Sequence, residues 1–147
     1  MLEIGVGNGT YTELFKRNGV TKLVGIDVTS EFFPELRKVF PDYTFIKGDI
    51  TEIVLNEKFD VIMFIDVIEH IVKRNKLENA MDTIYKSLNK GGMFFLSGFH
   101  SINKTNQEFF YEMRWSENDI LDMTRKFKIL FPITQFRGDC IVVFQKR

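Results

Sequence analysis

Apolar and polar positions alternate along the chain in blocks that predict strands and helices in turn. Short apolar runs, typical of buried strands, occur at residues 2–4, 22–28, 43–47, 59–65 and 93–99. Segments with a helical spacing of apolar residues lie between them, at residues 8–17, 32–40 and 77–88. Two last strand patterns, 128–133 and 139–145, have no helix between them and are expected to be antiparallel. This order predicts an α/β fold: a doubly wound, mostly parallel seven-stranded sheet with an antiparallel C-terminal edge hairpin.

Local signals predict where several elements begin and end. Thr29 or Ser30 is expected to cap the second helix, and its buried face is predicted to carry Phe32, Phe33, Leu36, Val39 and Phe40. The segment 89–92, Asn-Lys-Gly-Gly, predicts a turn before the fifth strand.

A late helix has a sharper start signal. Ser116 is expected to be its N-cap and Asp119 its N3 acid, as in a capping box. Trp115 and Ile120 have the spacing of a hydrophobic staple across this start.

Composition narrows the class of protein. A length of 147 residues suits one domain, predicted here as residues 1–147. Lys+Arg and Asp+Glu both number 20, so the basic surplus expected of a nucleic-acid-binding protein is missing. Cys140 is the one cysteine and excludes an internal disulfide, which fits a reducing compartment. Because no apolar run is long enough for a membrane span, we expect no membrane association and a cytoplasmic location.

The most informative motif is Glu3-Ile-Gly5-Val-Gly7-Asn-Gly9, directly after the first strand. Glycines here allow main chain to approach a ligand, because no Cβ stands in the way. Asp27, 18 residues beyond Gly9, ends the second strand, where an acid suits the hydroxyls of a ribose. The third glycine comes one residue earlier than in the G-x-G-x-x-G turn that binds a pyrophosphate. These residues together predict a site for a nucleoside cofactor without phosphates.

The motifs resemble those of the class I S-adenosylmethionine-dependent methyltransferases, in particular the subgroup that methylates small molecules. The glycine motif is similar to the first motif of that family, and Gly48-Asp49-Ile50 stands where its adenine-binding segment lies. Asp66-Val-Ile-Glu69-His70 resembles its fourth-strand motif, and residues 88–93 resemble the turn into its fifth strand. The resemblance runs over essentially the whole chain.

The resemblance implies S-adenosylmethionine as cofactor, S-adenosylhomocysteine as product, and a set of cofactor-binding residues: Glu3, Gly5, Gly7, Gly9, Asp27, Val28, Asp49, Ile50, Ile65 and Asp66. Asp27 would accept from the ribose hydroxyls, or it could serve as an acid at a helix N-terminus. Asp49 would accept from the adenine amino group, or it could be a solvated turn residue. Glu3 would hold the methionyl ammonium directly or through water, or it could be structural. For Asp66, capping of the following helix is the alternative.

Candidates for catalysis and acceptor binding follow the fourth and fifth strands. An acceptor that must lose a proton needs a base, which makes His70 the candidate catalytic residue. His100, Tyr111 and Arg114 are candidates for substrate binding. The region around them could be part of an acceptor pocket or a surface connection, and its other aromatic and amide residues are Asn103, Asn106, Gln107, Phe109 and Phe110. No metal is expected.

The predicted reaction is methyl transfer to an oxygen or nitrogen of a small-molecule acceptor. The family usually has helices before the first strand, whereas this sequence starts almost at the glycine motif. Cover for the cofactor is therefore expected from residues 99–114, from a homodimer or from a partner chain. The alternative function is a non-catalytic or partner-dependent subunit that retains the methyltransferase fold.

Overall fold

The structure of the protein is a computed structural model that describes residues 1–101, 107–108 and 111–147. The strands within these ranges are β1 (Leu2–Ile4), β2 (Val24–Asp27), β3 (Thr44–Lys47), β4 (Phe59–Phe64), β5 (Leu88–Phe99), β6 (Gln107–Glu108), β7 (Met113–Arg114), β8 (Phe127–Phe136) and β9 (Asp139–Lys146). The α-helices are α1 (Thr10–Arg17), α2 (Phe33–Val39), α3 (Arg74–Ser87) and α4 (Glu117–Met123), and a 3₁₀ helix covers Ile68–His70.

The main sheet has seven strands in the order β3-β2-β1-β4-β5-β9-β8. The pairs from β3 to β5 are parallel, whereas β9 is antiparallel to both β5 and β8. The predicted α/β sheet with an antiparallel C-terminal hairpin is therefore confirmed. A separate two-stranded pair, β6 with β7, was not predicted.

Strand β1 lies in the middle of the parallel part and determines which loops meet. Ile4 pairs with Ile26 of β2 on one side and with Phe64 of β4 on the other. The loops that follow these three strands therefore emerge side by side at the carboxyl edge of the sheet, where ligands of open α/β sheets bind.

The core consists of two separate apolar clusters. The smaller cluster packs Phe33, Leu36 and Phe40, from and just after α2, with strand residues and with Phe15 of α1. The larger cluster packs the central strands with residues of α3 and α4. A doubly wound sheet has helices on both faces, so each face needs an apolar cluster of its own.

Helix α2 begins later than predicted. Its N-cap is Phe32, without a side-chain cap, and Pro34 lies in its first turn, so neither Thr29 nor Ser30 caps it. Phe32 and Val39 are exposed, which corrects the prediction that they share the buried face. Because proline is well accommodated in a first helical turn, Pro34 is a physical reason for this later start.

Helix α4 begins as predicted. Ser116 is its N-cap, and the Asp119 N–H and carboxylate complete a capping box with it. Trp115 and Ile120 are both buried in the larger cluster.

The predicted turn at 89–92 lies inside strand β5. The register of β5 with β4 passes from Phe59 opposite Leu88 to Val61 opposite Met93. Five steps along β5 thus face two steps along β4, and Gly91 adopts a left-handed φ of 79° in this irregular part of the strand.

Candidate active site

The glycine turn leads from β1 into α1 at the carboxyl edge of the sheet. Gly5, Gly7 and Gly9 have positive φ values of 81°, 52° and 85°. A Cβ at Gly5 would lie 2.2 Å from Val67 Cγ2, and one at Gly9 would lie 2.4 Å from Leu36 Cδ2. A Cβ at Gly7 would have no atom within 4 Å. The first and third glycines thus allow close packing, while Gly7 borders open space.

That open space is a cavity of about 580 Å³. It lies over the ends of β1, β2, β3 and β4, and its lining includes many residues that the sequence predicted for the site: Gly5, Gly7, Asp27, Val28, Asp49, Ile50, Asp66 and His70. The volume is in the range typical of small-molecule sites.

Asp27 links the glycine turn to the end of β2. Its Oδ2 accepts a hydrogen bond from the Gly7 N–H at 2.9 Å. Its Oδ1 accepts from the Thr29 N–H at 2.9 Å and from the Thr29 hydroxyl at 3.1 Å. A carboxylate has about four acceptor positions, so further donors from the cavity can share this group. Asp27 therefore organises the turn and also faces the cavity.

The far wall of the cavity combines apolar and polar groups. Val28 is 63% exposed although apolar, and Ile50 lines the cavity too but is otherwise buried. Asp49 Oδ1 accepts from the Thr51 N–H at 2.8 Å, while its Oδ2 lies 3.9 Å from Lys76 Nζ. Such a wall can pack against a flat ring and also accept hydrogen bonds from it.

Glu3 lies beneath the glycine turn and does not line the large cavity. Its Oε2 accepts from the Thr12 hydroxyl at 2.6 Å, and its Oε1 has no partner among the described residues. Burial raises the pKa of its carboxyl to about 7. A small space of about 10 Å³, lined by Glu3, Tyr11 and Ile65, adjoins it and suits about one water molecule. Any link from Glu3 or Ile65 to a ligand would pass through this space.

Asp66 lies at the start of the loop after β4 and has an unusual φ of 55°. Its N–H donates to Ser97 Oγ at 3.1 Å, and the same hydroxyl donates to Asp66 Oδ1 at 2.8 Å. The 3₁₀ helix that follows has Val67 as N-cap and no side-chain cap. The alternative that Asp66 caps a helix is therefore wrong, because its carboxylate bonds to β5.

The loop after β4 is held from the other side by Trp115. The indole N–H donates to the carbonyl oxygens of Ile68 at 3.2 Å and of Ile71 at 3.1 Å. These two carbonyls bracket the segment that carries Glu69 and His70. His70 is exposed and borders the cavity, so its predicted place at the site agrees with the geometry.

The candidates for substrate binding do not line this cavity. His100 is buried, with Nε2 2.8 Å from the Arg114 carbonyl oxygen and Nδ1 3.2 Å from that of Ser101. Because both ring nitrogens face main-chain carbonyls, its position is explained by structure. Tyr111 and the Arg114 side chain are exposed. The remaining residues predicted for the acceptor pocket (Asn103, Asn106, Phe109 and Phe110) lie outside the described residues, as does the side chain of Gln107.

Comparison with known families gives the identity of this site. A family model described as a methyltransferase domain matches residues 2–96, which is most of the chain. The chain belongs to the methyltransferase family. The enzyme class and the cofactor predicted from the sequence are confirmed with it: an S-adenosylmethionine-dependent methyltransferase.

Solved methyltransferases share this fold at low sequence identity. The N-methyltransferase NodS from Bradyrhizobium japonicum, in complex with S-adenosylhomocysteine, is 19% identical with a TM-score of 0.76, and the match covers 99% of this chain and 76% of NodS. A 1,6-didemethyltoxoflavin-N1-methyltransferase from Burkholderia thailandensis is 16% identical with a TM-score of 0.83, covering 99% of this chain and 69% of its own. An S-adenosylmethionine-dependent methyltransferase from Clostridium acetobutylicum is 16% identical with a TM-score of 0.81, covering 99% and 82%. A comparison with curated protein sequences finds no significant match.

Sequence reasoning missed several residues of the methyltransferase site. Lys73 and Lys76 border the cavity and were not among the predicted site residues. Their position shortly after the loop that follows β4 was the available signal. Glu69 approaches Gly98, and the Trp115 indole bonds to the loop after β4. Both contacts join segments that are distant in sequence, so no local sequence pattern could predict them.

Proposed function

We propose that this methyltransferase acts on a nitrogen or oxygen of a small-molecule acceptor. The observation that carries the proposal is the carboxylate of Asp27, held by Gly7 at the border of the cavity. S-adenosylmethionine supplies a methyl group on a positively charged sulfur. The residues of the cavity fit this cofactor, because carboxylates face the cavity. A dinucleotide site would instead place main-chain N–H groups there to bind phosphates.

In this proposal the residues around the cavity bind different parts of the cofactor. Asp27 accepts hydrogen bonds from the ribose hydroxyls and Asp49 accepts from the adenine amino group. Val28 and Ile50 pack on the adenine ring, and the Ile50 N–H donates to it. Glu3, whose Oε1 lacks a partner, orients the methionyl ammonium through the small space beneath the turn. Gly5, Gly7 and Gly9 provide the close approach, with Gly9 acting through the packing of α2.

Catalysis then depends mainly on alignment. Holding the two reactants in line turns a bimolecular reaction into one within a single complex, which accounts for much of the acceleration. His70 borders the cavity and is the sequence-predicted base. The loop that carries it is fixed by the Trp115 indole, so its position is maintained without help from the acceptor.

The acceptor enters from the side of β5 and β7 in this proposal. Strand β7 packs against the 3₁₀ helix, which brings that region close to the loop after β4. His100, Tyr111 and Arg114 remain predicted substrate contacts, of which the exposed Tyr111 and Arg114 suit the role better than the buried His100. A second copy of the chain or a partner chain is proposed to cover the cofactor.

The experiment is a methyl-transfer assay with a panel of small amines and alcohols. S-adenosylhomocysteine release and a methylated product are measured by mass spectrometry, with Asp27→Ala as the inactive control. Product from a panel member supports an enzyme acting on small molecules. Tight S-adenosylhomocysteine binding without turnover, rescued by a co-purifying chain, would support the partner-dependent subunit.

Localisation remains a prediction. No helix in the described part of the chain is both long and apolar enough to cross a bilayer. The proposal places the enzyme in the cytoplasm, without membrane or nucleic-acid partners. Among the described residues no group of three or more His, Cys, Asp or Glu side chains could hold a metal ion, and the proposed reaction uses none.

A further inference from the structure

Glu69 has a carboxyl group with an unusual environment, in a loop that borders the cavity, although Glu69 itself is not among the residues that line it. It lies in the loop after β4, between the cavity-lining residues Asp66 and His70. Its Oε2 is fully buried and has no hydrogen-bond partner among the described residues. A buried oxygen without a partner is costly, so such a group calls for a water, an ion, a ligand or a catalytic role as its explanation.

The end of β5 makes room for this oxygen. Gly98 has a φ of 91°, and a Cβ there would lie 2.4 Å from Glu69 Oε2 and 3.5 Å from Asp66 Cα. A larger residue at this position would displace the end of the Glu69 side chain. Gly98 therefore shapes the position of Glu69 on the β5 side of Asp66, which is where the acceptor is proposed to enter.

The charged neighbours of Glu69 favour a cationic ligand. Burial has the largest influence on the pKa of its carboxyl and raises it, whereas a hydrogen bond from its own main-chain N–H lowers it. Among the charged neighbours, His70 lowers this pKa, and Asp66 from the same loop and Asp139 from β9 raise it. No salt bridge to Glu69, Asp66 or Asp139 occurs within the described ranges. A positive group is thus the missing partner for this part of the site.

We propose that Glu69 is the catalytic residue that binds a protonated amine acceptor and accepts its proton. This inference rests on the proposed function and narrows the acceptor to an aliphatic amine. A hydroxyl group is a poorer fit, because it brings no positive charge to balance a desolvated carboxylate. His70, on the cofactor side of the loop and exposed, then positions the acceptor and takes no proton.

The proposed step balances in atoms and charge. An ammonium N–H proton moves to the Glu69 carboxylate, which leaves a neutral amine with a free electron pair. That pair forms the new N–C bond to the methyl carbon, and the electron pair of the broken C–S bond stays on sulfur. The product is an N-methyl ammonium ion, and the proton on Glu69 returns to solvent when the site opens. A carboxyl whose pKa is raised above its ordinary value, chiefly by burial, is a stronger base than an exposed glutamate and suits this exchange.

The first test follows the Glu69 carboxyl directly. Protein with ¹³C-labelled glutamate, saturated with S-adenosylhomocysteine, is titrated with cyclohexylamine and with cyclohexanol while the carboxyl resonances are recorded. Glu69→Gln identifies the resonance, and the exposed Glu57, at the opposite edge of the sheet, gives the control Glu57→Gln. The proposal predicts a raised pKa and a shift with the amine alone. A resonance that titrates normally, or responds to the alcohol and not to the amine, would overturn it.

The second test uses turnover with the amine found in the acceptor panel. Glu69→Gln should lower kcat/KM by about 10²–10⁴-fold, the usual contribution of a general base. It should leave S-adenosylhomocysteine affinity near that of wild type and remove the acidic limb of the pH profile, which His70→Gln retains. Gly98→Ala should act in the same direction. Its matched control, Gly138→Ala, has the same φ of 91° but open space around the added Cβ.

The two proposals fail in different ways. If wild-type protein does not bind S-adenosylhomocysteine, the proposed function is wrong. If it binds and Glu69→Gln turns over like wild type, only the role of Glu69 is wrong. If alcohols alone are methylated, the proposed methyltransferase activity is correct and the inference of an amine acceptor is wrong.

Discussion

The main-chain N–H of Gly7 donates a hydrogen bond of 2.9 Å to Asp27 Oδ2. This bond joins the glycine turn after β1 to the end of β2, across the mouth of the cavity. A donor with a left-handed backbone and an acceptor at the end of the neighbouring strand are thus organised before any ligand arrives. Because these groups are already in place, less conformational entropy is lost when a ligand binds.

Substitution of Gly7 separates ligand binding from backbone strain. In Gly7→Ala the added methyl would point into open space beside the cavity. A left-handed alanine costs about 1–2 kcal/mol in stability, and the methyl should block close approach of the cofactor. We expect S-adenosylhomocysteine affinity to fall at least about tenfold, the equivalent of 1.4 kcal/mol, as measured by calorimetry.

Gly19→Ala is the matched control for that measurement. Gly19 has a φ of 83°, follows α1 and also has open space at its Cβ position. It should lose similar stability and keep its affinity. Equal affinities of the two variants would contradict the approach of the cofactor to Gly7.

Glu3 should make stability depend on pH. Its folded pKa of about 7 lies above the ordinary value of 4.5, so the folded state holds a proton that the unfolded state releases. The stabilising effect of this protonation is complete below pH 4.5 and is lost as pH rises to about 7. The loss amounts to at most about 3 kcal/mol, at 1.36 kcal/mol for each pKa unit.

Urea unfolding between pH 4.5 and 7.5 measures this dependence. Because the raised pKa of Glu69 adds to it in wild type, the difference between wild type and Glu3→Gln is the relevant quantity. Wild type should lose stability relative to Glu3→Gln across this range, and Glu57→Gln should follow wild type. A constant difference between wild type and Glu3→Gln would show that Glu3 titrates normally.

Trp115 should stabilise the loop after β4 through its indole N–H. Trp115→Phe keeps most of the buried ring but leaves the Ile68 and Ile71 carbonyls without this donor. We expect a loss of about 1–3 kcal/mol in the free energy of unfolding, measured in urea. The exposed Tyr111 gives the control Tyr111→Phe, which should behave as wild type. Protection of the loop amides from hydrogen exchange should also fall in Trp115→Phe, and unchanged protection would argue against this role.

The sequence predicted the fold well, because the fold depends on local signals, and most residues that it proposed for the cofactor border one cavity. Apolar runs mark the parallel strands, and the carboxyl ends of neighbouring strands meet whatever the details of packing. The Gly7 and Asp27 positions follow from this rule. The capping box at Ser116 and Asp119 is equally local and was predicted correctly.

The errors come from signals that have two structural meanings. The glycines at 91 and 92 suit a turn or an irregular part of a strand, and they lie inside β5 where its register with β4 shifts. Thr29 and Ser30 are good caps, but the helix begins at Phe33, which turns Phe32 and Val39 outward. The surroundings of Glu69 could not be predicted, because Gly98 and Asp139 reach it only in the folded chain.

Calorimetry of S-adenosylhomocysteine binding to wild type and to Asp27→Ala tests the central claim most directly. Thr29→Ala, which removes a donor to Asp27 but keeps the carboxylate, is the control and should bind nearly as wild type. Loss of the charged acceptor in Asp27→Ala should cost about 1.5–3 kcal/mol of binding free energy, with folding verified by urea unfolding. Equal affinity of folded Asp27→Ala and wild type would contradict the assignment of this cavity to the cofactor.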